Sequence, residues 1–73
     1  MYKPRFFTLE CYFDQQERRK MVRAHAGTFE ENRDCLSPEM YATKEVMLPH
    51  PMNTIRKHAE RFAKEHGAGC WHC

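Results

Sequence analysis

Two stretches decide the fold: Phe6-Phe7-Thr8-Leu9-Glu10-Cys11-Tyr12-Phe13 and Lys20-Met21-Val22-Arg23-Ala24-His25-Ala26. In the first, Phe7, Leu9, Cys11 and Phe13 alternate with Phe6, Thr8, Glu10 and Tyr12. In the second, Val22, Ala24 and Ala26 alternate with Met21, Arg23 and His25. A period of two with aromatic and β-branched residues marks strands. The polar run Asp14–Arg19 between them reads as a hairpin tip.

Register follows from the pairing chemistry. With Phe13 opposite Lys20, Cys11 faces Val22, Leu9 faces Ala24 and Phe7 faces Ala26, which makes one apolar face. On the other face Glu10 meets Arg23, Thr8 meets His25 and Tyr12 meets Met21. Such pairs are worth about 0.2–1 kcal/mol each. A slip by one residue would turn the second strand's side chains to the wrong face.

Outward from the hairpin, Glu30–Cys35 is acidic and polar and reads as a loop. Ser37-Pro38-Glu39 has the makings of a short helix start, with Ser as cap, Pro at the first helical position and Glu at the positive end of the dipole. Ala42, Val46 and Leu48 then alternate with Thr43, Glu45 and Met47, which fits a third strand near 43–48; a longer helix through 38–48 is the competing reading. Pro49-His50-Pro51 ends that element. Met52, Ile55, Ala59, Phe62, Ala63 and His66 share one helical stripe. Asn53 stands where a cap belongs and Gly67 where a left-handed residue closes the helix. Glu60 to Lys64 and Arg61 to Glu65 have i,i+4 spacing. The tail Cys70–Cys73 has room for an edge strand or a docked extension. The expected fold is therefore α+β in one domain, 1–73. A small antiparallel sheet, the N-terminal hairpin plus a third strand, packs on one C-terminal amphipathic helix.

Composition narrows function. The chain has 73 residues, a net charge of +2 and eleven Leu, Ile, Val and Phe, so the core is thin and leans on Met, Tyr and Trp. The low charge argues against disorder. No apolar run is long enough for a membrane span or a secretory leader, and the chain opens on Met, which gives the expectation of a complete cytoplasmic product. Without an oxidising compartment, Cys11, Cys35, Cys70 and Cys73 are expected as thiols. The Gly-rich phosphate loops, HExxH and GxSxG are all missing, and so small a domain rarely encloses a deep pocket. His25, His50 and His58 have no nucleophile at a useful spacing. An enzyme is not expected.

Two features point to ligands. Cys70-Trp71-His72-Cys73 contains a CxxC, and His66 lies four residues before it. His66, Cys70 and Cys73 are the candidate zinc ligands, with Cys35 or Cys11 as a fourth. The single knuckle weakens this reading, so no cofactor is the expectation and zinc the alternative. A redox role for the CxxC is disfavoured because it follows a helix C-terminus, where the dipole has the wrong sign.

Charge is patterned as well. Residues 1–29 carry six basic and three acidic side chains, and residues 30–45 carry two basic and five acidic. Arg18, Arg19, Lys20 and Arg23 cluster at the hairpin tip. Arg56, Lys57, Arg61 and Lys64 fall on the outer side of the helix.

The leading expectation is a small regulatory or inhibitory module that binds a protein partner through Tyr12, Met21 and Arg23 with Arg18, Arg19 and Lys20 at the tip. Exposed aromatics, Met and Arg are interface composition. The competing reading of the same face is that the N-terminal arm or residues 30–48 fold over it. Short chains of this kind fit a phage or mobile-element product directed at host machinery. The alternative function is nucleic-acid binding by a basic hairpin, since a two-stranded ribbon fits the major groove. A homodimer that pairs edge strands is a further way to hide apolar surface, and no membrane role is expected.

Overall fold

The computed structural model describes residues 5–48 and 54–72, the side chains of 70–72 excepted. Strand β1 (Arg5–Asp14) and strand β2 (Arg19–Ala26) form the hairpin. Its register is the expected one, from Phe7 opposite Ala26 through Cys11 opposite Val22 to Phe13 opposite Lys20. Asp14 and Arg19 also pair, so the tip is tighter than the six residues anticipated. The Asp14 carboxylate holds it, accepting the Gln16 and Glu17 N–H groups at 2.9 and 3.1 Å, an Asx turn. Arg18 supplies the positive φ of 55° that turns the chain back.

Strand β3 (Met40–Leu48) pairs antiparallel with the other side of β1. The short helix expected from Ser37-Pro38-Glu39 does not form. Those residues make a turn instead: the Glu39 N–H donates to Ser37 Oγ and the Met40 N–H to the Ser37 carbonyl. The Phe13 N–H donates to the Glu39 carbonyl, so the β1 ladder takes up a carbonyl that a helix would have used. An extra residue in β3 near Tyr41 makes a bulge, where the register shifts between Cys11 and Tyr12.

Helix α1 (Ile55–Glu65) follows. Met52 and the expected cap Asn53 lie outside the described residues, as do Pro49, His50 and Pro51. The helix ends as its sequence requires. Gly67 takes φ 67°, and the Ala68 N–H bonds back to the Ala63 carbonyl at 2.8 Å, a Schellman-type closure. Glu60 receives Arg56 at 2.9 Å rather than Lys64. Strand β4 (Cys70–His72) then runs parallel to β2. The tail is thus an edge strand, and the sheet order is β3-β1-β2-β4.

The helix covers one face of the sheet. Phe7, Leu9, Cys11, Val22, Val46 and Leu48 meet Ile55, Ala59, Phe62 and Ala63 there. This is the apolar face expected from the hairpin register, extended by β3. No described helix is long and apolar enough to cross a membrane.

Candidate functional site

The face of the sheet away from α1 is the expected partner surface, and the structure covers its centre. Thr8 and Glu10 are 0% exposed, Met21 2% and Tyr12 8%. The segment 27–39 crosses this face and is tied to it at three places. Thr8 Oγ1 donates to the Gly27 carbonyl at 3.1 Å, the Phe29 N–H donates to Glu45 Oε2 at 2.9 Å, and the Ser37 N–H donates to Glu10 Oε2. Of the competing reading, in which residues 30–48 fold over this face, the first part holds: residues 30–39 belong to the cover, and residues 40–48 join the sheet as β3. Tyr12 and Met21 are interior residues, not an open contact surface.

The segment has its own sequence logic. Thr28 and Glu31 cap each other: the Thr28 N–H donates to Glu31 Oε1 at 2.9 Å, and the Glu31 N–H to Thr28 Oγ1 at 3.3 Å. This is a Thr-x-x-Glu capping box, a signal legible in the sequence but not read from it. Hydrogen bonding from the Thr28 backbone N–H, and then from its side chain, holds the Glu31 carboxyl below its ordinary value. Asn32, 8% exposed, donates Nδ2 to the Ala26 and Thr28 carbonyls, both at 2.9 Å. A single 3-10 turn, Arg33–Cys35, leads on to Ser37.

Glu10 is the hub beneath this cover. Its Oε1 accepts Arg23 Nε at 2.8 Å and His25 Nε2 at 2.8 Å. A carboxylate only accepts, so Nε2 of His25 carries the proton. The Arg23 guanidinium also lies 4.2 Å over the Tyr12 ring, a cation–π contact. Burial pushes the Glu10 carboxyl up, but the bonds from Arg23, His25 and the Ser37 N–H outweigh it and hold it below the ordinary value of 4.5. The same bond to Glu10 raises Arg23.

A pH dependence follows. Glu10 binds its proton more weakly folded than unfolded. Its stabilisation is complete above the unfolded carboxyl range and is lost as pH falls below about 4.5. Urea midpoints taken from pH 7 to pH 3 are expected to drop, at up to about 1.4 kcal/mol per pH unit from this one group. E10Q is expected to flatten that limb, and an unchanged limb would assign it to other carboxyls.

The basic tip residues have separate partners. Lys20 Nζ lies 4.8 Å from the Tyr41 ring centre. Arg19 stands 3.9 Å from Glu17, and its chain runs beside Gly69. Arg23 belongs to Glu10, and Arg18 sits at the turn itself. Of the zinc candidates, Cys73 lies outside the described residues and Cys70 is described by its backbone alone. His66 packs edge-on against Phe62, ring centres 4.5 Å apart. Cys11 is buried in the core, where burial pushes its thiol up, and Cys35 is exposed.

What remains open lies at the other edge of the sheet. Among the described residues the exposed large apolar side chains are Phe6 (40%), Met40 (39%), Tyr41 (58%) and Met47 (54%). Three of them belong to β3, and Phe6 is the cross-strand partner of Met47. The sequence pattern does not single out the three on β3, because β3's place at the edge of the sheet is not a local property.

Fold and site together define a small α+β module: a mixed four-stranded sheet with a helix on one face, a loop cover on the other and an apolar edge. No protein-family model, curated protein or solved structure matches this chain.

Proposed function

We propose that this chain is a non-enzymatic module that regulates or inhibits a protein partner by docking against the β3 side of the sheet. One observation carries the reading: the exposed large apolar side chains among the described residues gather on β3 and on the β1 residue paired with it. Met and aromatic side chains at such density are interface composition. The hairpin face first expected to do this work is occupied by segment 27–39, so the contact surface moves to the opposite edge of the hairpin.

The test is affinity capture with the wild-type chain, M47E and F6S, with and without nuclease. Both variants are expected to keep the native circular dichroism, because both sites are exposed. Each is expected to lower retention of a nuclease-resistant protein partner by about tenfold, the loss typical of an anchor side chain worth more than 1 kcal/mol. Equal retention by wild type and both variants would overturn the β3 assignment. Recovery of nucleic acid alone would support the basic-hairpin alternative instead.

A further inference from the structure

We infer that the outer edge of β3 takes an extended segment of the partner protein as an added strand, with an acidic side chain beside Lys44. This rests on the proposed protein-binding role and names how the partner is held.

Backbone geometry supplies the first argument. The Phe13 N–H donates toward β3 and the Phe6 carbonyl accepts from Gly27 beyond β2. Backbone groups alternate sides along a strand, so Phe7, Leu9 and Cys11 of β1 face β3. Their partners Val46, Lys44 and Ala42 therefore point back to β1. Thr43, Glu45 and Met47 point the other way. Their N–H and C=O groups form the outer edge, with which no described strand pairs. Such an edge is a template for strand addition, in which backbone bonds give affinity and alternate side chains give specificity.

Charge selects the occupant. A second copy pairing symmetrically about Lys44 sets Lys44 against Lys44, and about Glu45 sets Glu45 against Glu45. Like charges directly opposite destabilise a sheet. Centred on Thr43, the copy runs its Glu45 onto the bulge at Tyr41. Centred on Val46, it lays the charges of Lys44 and Glu45 against the apolar Leu48 and Met47, and centred on Met47 it overlaps only 46–48 of the nine residues of β3. The edge is mismatched to itself. A different strand escapes every one of these conflicts by placing an acid opposite Lys44 and an apolar residue opposite Met47. Read antiparallel, that segment carries the apolar residue first and the acid three positions later.

The probe is a synthetic nine-residue strand peptide of alternating Thr and Val with Leu and, three positions on, Asp. It is titrated into the full chain and followed by amide chemical shifts and fluorescence anisotropy. The expected shifts fall on Thr43, Glu45 and Met47. T43P removes an outward N–H and leaves the β1 ladder intact. It is expected to bind about tenfold more weakly, the loss of one backbone bond together with the acceptor it leaves unpaired on the peptide. K44E is expected to reverse the preference between the Asp peptide and its Lys counterpart, each change being about fivefold. Should T43P fail to fold, the K44E reversal decides alone.

No binding by wild type at millimolar peptide, full affinity in folded T43P, or no reversal in K44E overturns the inference. A wild-type dimer in sedimentation that T43P abolishes overturns it too, by making a second copy the occupant. If M47E and F6S lose a captured partner while T43P keeps it, the protein-binding role stands and the added strand is rejected.

Discussion

Glu10→Ala is expected to lower folding stability by about 3 kcal/mol or more, read as a shift in urea or thermal midpoint. The carboxylate is fully buried and accepts from Arg23, His25 and the Ser37 N–H. Removing one partner of a buried pair typically costs about 3–5 kcal/mol, because the other is left without compensation. Arg23 keeps a route to water, its side chain being 35% exposed, which places the effect at the lower end. A domain of this length holds only about 4–11 kcal/mol in total. The loss should also loosen segment 27–39, since Ser37 is tied to the sheet through Glu10. Hydrogen exchange would then rise at Thr28 and Asn32 before it rises in α1. E10L combined with R23M is expected to lose less than E10A, because it removes both charges together. A drop below about 1 kcal/mol in E10A would mean the cluster is structurally idle.

Phe62→Ala is expected to have an effect of similar or greater size, about 3–5 kcal/mol. Phe62 is 3% exposed and stands at the centre of the helix face that covers Leu9, Cys11 and Val22. The chain has few large aliphatics to collapse into the space. Three of the four buried helix residues would remain, and two of those are alanines. The far-ultraviolet helix signal should therefore melt at a markedly lower temperature than in wild type. Its edge contact with His66 would be lost as well. A shift equivalent to less than about 1.5 kcal/mol would show that the helix is held chiefly by its other contacts.

These two residues divide what was legible. Phe62 was readable as core from its place in a helical stripe, and so was the closing role of Gly67. The stripe and the left-handed stop are local patterns, with nothing distant needed to recognise them. Glu10 was readable as the partner of Arg23, and that pairing is present at 2.8 Å. Its burial was not readable. On sequence alone the Glu10 face of the hairpin is as fit for a partner as for a cover, and Tyr12, Met21 and Arg23 read as partner contacts. The decision rested on where residues 27–39 travel after the hairpin, which depends on contacts across the sheet. One local clue, Thr28-Phe29-Glu30-Glu31, marks a capped turn. It says that the chain bends there, and does not say over which face.

Ser37-Pro38-Glu39 teaches the same point from the other side. Its residues satisfy the local rules for a helix start. The backbone of Phe13 offered a ladder bond to Glu39, and β1 offered a full pairing partner for Met40–Leu48. Tertiary pairing outweighed a weak local preference, as it does where propensity differences are tenths of a kcal/mol.

By itself, then, the sequence determined the hairpin, its register, the helix and the face on which they meet. Each follows from a side-chain period of 2.0 or 3.6 residues, which any local segment displays. Only the tertiary structure decided that β3 lies at one edge and β4 at the other, and that segment 27–39 covers the centre of the second face. Strand order and loop path depend on contacts between residues far apart in the chain, and no local period encodes those. The proposed contact surface belongs to this second kind. Met40 and Met47 have the same side chain as the buried Met21, and with Tyr41 they are exposed on the strand at which the sheet ends.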